Sequence, residues 1–148
     1  MARVILVNPS SEALGPDNPR MTRVLFPPPP GGLAMVAAVL QSNGHVVKIV
    51  DMVLRSMTVS DLVRQVVSWR ADAVGISVLG PAAEASGAFA SAIRHEAPGV
   101  KLFAGNALPS EYPYWFLKRY PAFDAVVVGE GEVATPALLD NGFSGGCP

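Results

Sequence analysis

The sequence predicts a single α/β domain in which helices cover both faces of a parallel sheet. Five short apolar runs, each about the length of a buried strand and rich in β-branched residues, recur along the 148 residues. Segments with the apolar spacing of helices separate these runs, and such alternation is typical of a parallel sheet with right-handed crossovers. For a doubly wound sheet of five strands we expect the flavodoxin-like strand order 2-1-3-4-5.

The apolar runs mark the strands, because strands that are buried on both faces show no polar alternation. The predicted strands are Val4 to Val7, Val46 to Val50, Ala73 to Ile76, Val100 to Phe103 and Ala125 to Val128.

Helices are expected between and after the strands. The first helix is predicted at Leu33 to Ser42. The second follows a cap at Thr58 or Ser60 and has the apolar stripe Leu62, Val63, Val66 and Val67. The remaining helices are predicted at Ala83 to Arg94, between Ser110 and Tyr120, and from near Glu130 onward. Pro113 interrupts the fourth segment. Pro136 is expected only in the first turn of the last helix or at a break, because proline lacks a backbone donor.

Composition limits the class of protein. Half of the residues are hydrophobic, 16% are charged, and the net charge is −1 without a block of either sign. This balance predicts neither a nucleic-acid surface nor a polybasic membrane patch. No apolar run approaches the ~20 residues that span a bilayer, and the start lacks a signal-peptide pattern. We expect one cytoplasmic domain over residues 1–148, without nucleic-acid or membrane partners.

Ligands of such a sheet bind at the carboxyl ends of the strands. Any one glycine there can be explained by a strand-to-helix turn, but the set together favours close approach of backbone to a ligand. The candidate cofactor-binding residues are Asn8, Pro9, Gly32, Leu33, Ser77, Val78, Leu79, Gly80, Gly105, Asn106, Gly129, Glu130 and Gly131.

The connection from Asn8 to Gly32 is far longer than the usual 2–6 residues and contains four consecutive prolines, Pro27 to Pro30. A long loop at the ligand end favours a cover or cradle for a cofactor, and a disordered insertion is the alternative.

Several familiar sites are excluded. No GxGxxG follows the first strand and no GxxxxGK[ST] occurs, so neither a dinucleotide site nor a P-loop is predicted. Asn8 lacks the charge with which a receiver domain holds magnesium. His45 precedes the second strand and His95 follows the third helix, both far from the expected site, so we predict no metal ligand in this chain.

The sequence contains a series of segments with a family resemblance. They are Val4 to Pro9, Pro30 to Ala34, Asn43 to Asp51, Ala73 to Ser77 and Asp124 to Glu132 with its closing Gly-Glu-Gly-Glu. Together they resemble the N-terminal cobalamin-binding domain of cobalamin-dependent radical S-adenosylmethionine enzymes, over nearly the whole chain.

The resemblance implies a place for the corrinoid. In the family the nucleotide tail lies beside a Ser-x-Leu segment after the third strand, which Ser77 to Leu79 matches, and a Gly-Gly pair after the fourth, which Ala104-Gly105 matches with one alanine. The Asp-x-His-x-x-Gly motif that ligates cobalt is absent after the first strand. The resemblance therefore implies base-off cobalamin without a histidine ligand, covered on its lower face by the loop of residues 8–32.

The resemblance also implies a partner, namely a radical S-adenosylmethionine catalytic domain or subunit, commonly of a methyltransferase. Its cluster needs three thiolates, and Cys147 is the only cysteine here. We therefore expect no iron–sulfur cluster and no complete catalytic site in this chain, which would be a cofactor domain or a fragment. Two alternatives stay open: a flavodoxin-like domain that binds flavin mononucleotide and transfers electrons, and a degenerate cofactor-free domain that mediates protein contacts.

Overall fold

The computed structural model describes residues 1–10 and 30–144. Within them the strands form one parallel sheet of order β2-β1-β3-β4-β5, which confirms the predicted fold class and strand order. The strands are β1 (Arg3–Asn8), β2 (Val46–Asp51), β3 (Ala73–Ser77), β4 (Lys101–Gly105) and β5 (Ala125–Val126). Most of the predicted long loop, and Cys147, lie outside the described residues.

Helices connect the strands. They are α1 (Gly31–Ser42), α2 (Met52–Arg55), α3 (Val59–Ser68), α4 (Ala83–Glu96), α5 (Ala107–Glu111), α6 (Pro113–Arg119) and α7 (Gly131–Asp140), with a 3₁₀ turn at Gly80–Ala82. None of the described helices is both long and apolar enough to cross a membrane.

Alternate residues of β1 supply the two hydrophobic layers. Val4 and Leu6 are buried in the layer that includes residues of α1 and α7, whereas Ile5 and Val7 are buried in the layer that includes residues of α3, α4 and α6. Side chains of a strand point alternately to opposite faces, so both layers read as one apolar run in the sequence. The sheet is thus covered on both faces, as the composition predicted.

The start of α3 is fixed by Thr58 rather than Ser60. The Thr58 hydroxyl accepts from the backbone N–H of Asp61, and the Asp61 carboxylate accepts from the backbone N–H of Thr58, which is a capping box. That backbone bond, together with the Thr58 hydroxyl and Arg64, holds the pKa of Asp61 below its ordinary value. Of the predicted stripe, Leu62 and Val66 are buried.

Prolines shape the last two helical segments differently. Pro113 begins α6 at a position that needs no backbone donor, so the predicted fourth helix becomes the two helices α5 and α6. The expectation for Pro136 was wrong, because it lies buried in the interior of α7, beyond the first turn. A proline there deprives the Glu132 carbonyl of its intrahelical donor and its ring crowds the same carbonyl, so the helix continues against local preference.

Two further elements differ from the sequence prediction. The strand β5 ends at Val126 rather than Val128, although the Val127 N–H still donates to the Ala104 carbonyl at 2.7 Å. The short helix α2 was not predicted. It begins because the Asp51 carboxylate accepts from the N–H groups of Val53 and Leu54 at the end of β2.

Candidate cofactor-binding site

A cavity of about 680 Å³ opens at the carboxyl end of the sheet. Its volume lies within the range of small-molecule and cofactor sites, roughly 300–1,000 Å³. Residues of β1, β3 and β4 line its floor, and residues of α1 and α7 line its walls. The cavity therefore extends from the strand ends along the sheet face that α1 and α7 cover.

Most of the predicted site residues line this cavity. They are Asn8, Pro9, Gly32, Leu33, Ser77, Leu79, Gly105, Asn106, Gly129, Glu130 and Gly131. Two are not among the lining residues: Val78 is fully buried in the layer of α3, α4 and α6, and Gly80 begins the 3₁₀ turn.

The inner wall of the cavity was not predicted. It is formed by apolar side chains and one hydroxyl group that lie inside strands, inside helices or just after β5: Leu6, Val36, Phe103, Val127 and Thr135. The sequence prediction covers mainly the residues directly after each strand. The alternation within β1, which places Leu6 on the same face as α1, was the signal that could have found the wall.

Gly75 belongs to the same wall and is a glycine inside an apolar strand. A Cβ atom at this position would lie 2.3 Å from Phe103 Cζ and 3.1 Å from Leu6 Cδ2. The missing side chain thus allows the Phe103 ring to pack directly on β3. A glycine inside a strand often marks such a close approach.

Two lining glycines have no packing partner that requires them. A Cβ atom on Gly105 would make only an ordinary 3.7 Å contact with Val127, and one on Gly32 would meet no atom within 4 Å. Neither residue has a positive φ angle. The described protein atoms therefore leave room at both glycines, as expected where a bound group fills the space beside the backbone.

Polar groups converge on the floor where β3 and β4 end. Asn106 Nδ2 donates to Ser77 Oγ at 2.9 Å, and the Val78 N–H donates to the Gly105 carbonyl at 2.8 Å. Asn106 has φ 82° and ψ −169°, a conformation that glycine adopts far more easily than other residues. Gly105 and Asn106, at the end of β4, both line the cavity. Ala104 itself is fully buried within β4.

Asn8 and two carboxylates complete the polar lining. Asn8 Nδ2 donates to Asp51 Oδ1 at 3.1 Å, which orients the amide at the end of β1. Glu130 and Glu132 stand at the beginning of α7, where the helix dipole favours negative charge. In the described part of the chain, no group of three or more histidine, cysteine, aspartate or glutamate side chains is arranged to hold a metal ion.

Both histidines lie away from the cavity, in agreement with their predicted positions. The His45 ring precedes β2 at the amino end of the sheet, where Nδ1 accepts from the Ala2 N–H at 3.2 Å. Its Nε2 is 3.9 Å from Asp140. His95 lies near the end of α4 with its side chain 84% exposed.

Comparison with known proteins shows the family of this chain. Residues 19–139 match the family model of the B12 binding domain. An uncharacterized methyltransferase of Pyrococcus horikoshii is 30% identical over 112 residues, which cover 76% of this chain and 24% of that protein. The chain thus spans about a quarter of the length of this curated relative.

Two solved structures share the fold. One is the cobalamin-dependent S-adenosylmethionine radical enzyme OxsB with aqua-cobalamin and S-adenosylmethionine bound, with a TM-score of 0.78 and 19% identity over 95% of this chain and 18% of that chain. The other is the radical S-adenosylmethionine methyltransferase TsrM of Kitasatospora setae, with a TM-score of 0.73 and 19% identity over 95% of this chain and 26% of that chain. At this identity the structures establish the fold alone. The family match over residues 19–139, however, shows that this chain belongs to the B12-binding domain family.

Proposed function

We propose that this chain binds base-off cobalamin without a histidine ligand, as the cofactor module of a radical S-adenosylmethionine enzyme of methyltransferase type. Bound cobalamin would supply a cobalt centre that accepts and donates a methyl group. The chain's own residues would hold and orient the corrinoid. Cleavage of S-adenosylmethionine and substrate binding would belong to a partner domain or subunit.

The observation that carries this proposal is the depth of the cavity. It continues from the strand ends to Leu6, Gly75 and Phe103, which lie within the sheet layer itself. An open edge would suffice for a ligand that rests only on the loops. A cavity that extends between the sheet and α1 can instead receive an elongated group such as the nucleotide tail. Gly32 and Gly105 leave room beside it.

The absence of a histidine ligand is supported by the position of both imidazoles. His45 is at the amino end of the sheet, where it accepts a hydrogen bond from the Ala2 N–H. His95 is exposed near the end of α4. The sequence contains no third histidine. A tail that occupies the inner cavity would also remove its own base from the cobalt, which is the base-off state.

The methyltransferase context is supported by the relatives. The Pyrococcus horikoshii protein is a methyltransferase by name, and TsrM and OxsB are radical S-adenosylmethionine enzymes. This chain covers only 18% of OxsB and 26% of TsrM, so most of each structure lies outside the similarity. We place the proposed catalytic partner in the part that this chain lacks.

Reconstitution tests cofactor binding. The purified chain is incubated with hydroxocobalamin, and in a parallel sample with flavin mononucleotide, and each sample is passed through gel filtration. We expect corrinoid absorbance to elute with the protein near one equivalent, and flavin to separate from it. A colourless protein peak after micromolar loading with hydroxocobalamin would refute the proposal, and retained flavin would favour the electron-transfer alternative.

Electron paramagnetic resonance tests the coordination. The reconstituted protein is reduced to the cob(II)alamin form, in which an axial nitrogen ligand splits the cobalt hyperfine lines. We expect no nitrogen splitting, because both the tail base and the histidines would lie away from the metal. Splitting that disappears in His45→Ala or His95→Ala would show that one of these rings reaches the cobalt.

A further inference from the structure

Asn106 adopts a backbone conformation that its side chain disfavours. With φ 82° and ψ −169° it lies in a region occupied almost solely by glycine, at the point where β4 passes into α5. Glycine would relieve this strain and would leave the chain path unchanged. A strained asparagine on the floor of a cavity indicates that its amide has a task that glycine cannot perform.

The orientation of this amide follows from its partners. The Ala107 N–H, which can only donate, lies 2.7 Å from Asn106 Oδ1. The oxygen must therefore face Ala107, and the NH₂ group must face Ser77, whose Oγ lies 2.9 Å from Nδ2. Because Ser77 Oγ accepts this bond, the Ser77 hydroxyl proton is directed elsewhere. Within the described residues the Ser77 hydroxyl donates no hydrogen bond, and Ser77 lines the cavity.

We infer that Asn106 is a positioning residue that makes Ser77 a hydrogen-bond donor toward the ligand. The group that Ser77 meets would then be an acceptor on the nucleotide tail of the corrinoid. This inference rests on the proposed function and deepens it, because it assigns the polarity of one contact. It predicts that Asn106 contributes to the affinity for a corrinoid with a tail and contributes nothing to the affinity for one without it.

Asn106→Asp is the sharpest variant. An aspartate retains the bond from the Ala107 N–H, but its second oxygen would accept the Ser77 proton and reverse the polarity of the pair. Asn106→Gly removes both the bond to Ser77 and the bond from the Ala107 N–H, and it relieves the backbone strain. Ser77→Ala removes the donor itself, and Ser77→Ala combined with Asn106→Asp completes a double-mutant cycle.

Equilibrium dialysis measures each variant with aquocobalamin and with diaquocobinamide, which lacks the nucleotide tail. For Asn106→Asp and Ser77→Ala we expect cobalamin affinity to fall about tenfold, the loss expected when a buried acceptor loses its donor. Cobinamide affinity should stay within about twofold of wild type, since the contact belongs to the tail. In the Ser77→Ala background, Asn106→Asp should cause no further loss.

The outcomes separate this inference from the proposed function. If the wild-type chain does not bind cobalamin, both fail. If the wild type binds but Asn106→Asp and Asn106→Gly bind cobalamin as tightly as it does, only the inference fails. A full tenfold loss from Asn106→Asp in the Ser77→Ala background would also overturn it, because charge repulsion would then explain the effect. Equal losses for cobalamin and cobinamide would assign Asn106 a structural role instead.

Thermal unfolding supplies a readout that does not depend on a corrinoid. Asn106→Gly should melt no lower than wild type, because the relief of strain at φ 82° offsets the small cost of losing the bond from the Ala107 N–H. The same variant should bind cobalamin several-fold more weakly. A variant with a lower melting temperature and an unchanged ratio of cobalamin to cobinamide affinity would show that the asparagine serves the fold.

Discussion

At the amino end of the sheet, charged side chains are bonded to the backbone around them, whereas at the carboxyl end the polar groups face a cavity. The Arg94 guanidinium donates to the carbonyls of Pro98, Val100 and Ala122 and to the Asp124 carboxylate. Asp124 also accepts from the Leu102 N–H at 2.7 Å. The Arg94 guanidinium and the Asp124 carboxylate are thus hydrogen-bonded to other groups of the protein.

The carboxyl end contains residues that the described part of the fold does not explain. Among the described residues, Gly32 and Gly105 have no neighbour that requires a glycine, and Asn106 carries backbone strain. The Ser77 hydroxyl accepts one bond from Asn106 and donates to no group in that part of the chain. Side-chain hydrogen bonds thus hold the backbone at the amino end of the sheet, whereas side chains at the carboxyl end line the cavity.

The largest effect is expected from a substitution that fills the cavity and leaves the amino end of the sheet unchanged. Gly105→Leu places a branched side chain beside Val127, in the space that the proposed tail would occupy. We expect cobalamin affinity to fall about a hundredfold, or about 2.8 kcal/mol, in equilibrium dialysis.

The matched control for this change is Gly99→Leu, in the turn before β4. Gly99 has open space around it and no positive φ angle, but does not line the cavity. It should bind cobalamin like the wild type. An equal loss of cobalamin affinity in both variants would show that the effect of Gly105→Leu does not depend on its position in the cavity.

The second prediction concerns the loss of the Arg94 hydrogen bonds at the amino end of the sheet. Arg94→Ala removes the donor to three carbonyl groups and one of the two donors to the Asp124 carboxylate, and we expect urea unfolding to give a loss of about 2 kcal/mol. Arg64→Ala is the control, because this arginine is 74% exposed and, among the described residues, forms an ion pair only with Asp61 in the same helix, α3. It should lose at most about 0.5 kcal/mol. Similar losses in both would contradict the importance of the Arg94 network.

The smallest effect concerns Tyr120, which packs against Gly87 and donates to Glu84 Oε1 at 2.9 Å. Burial, followed by the bond to Glu84 and its charge, raises the pKa of Tyr120 above its ordinary value of 10.0. Its contribution to stability is therefore fully present below pH 10 and is lost as the pH rises through the folded-state pKa.

Urea unfolding at alkaline pH tests this contribution. Tyr120→Phe should cost about 0.5 kcal/mol near neutral pH. The difference between wild type and variant should shrink as the pH rises above 10. Tyr114→Phe, at a side chain that is 90% exposed, serves as the control and should show no such change. A constant difference across the alkaline range would argue against the raised pKa.

The sequence by itself determined the architecture and the edge at which a site would form. Apolar runs without alternation identified every strand of the described sheet, and Thr58 or Ser60 was the predicted cap of α3, because these patterns act over a few neighbouring residues. The positions directly after the strands, such as Ser77, Gly105 and Glu130, followed from the rule that parallel strands end at a common edge.

Only the tertiary structure decided what lies behind that edge. Leu6, Phe103 and Val127 are apolar residues like many others in the chain, and their place in a cavity wall depends on how α1 and α7 cover one face of the sheet. The conformation of Asn106 and the continuation of α7 through Pro136 are likewise opposed by local preference. Such features arise because contacts between distant segments outweigh the preference of a single residue, and local sequence patterns carry no record of those contacts.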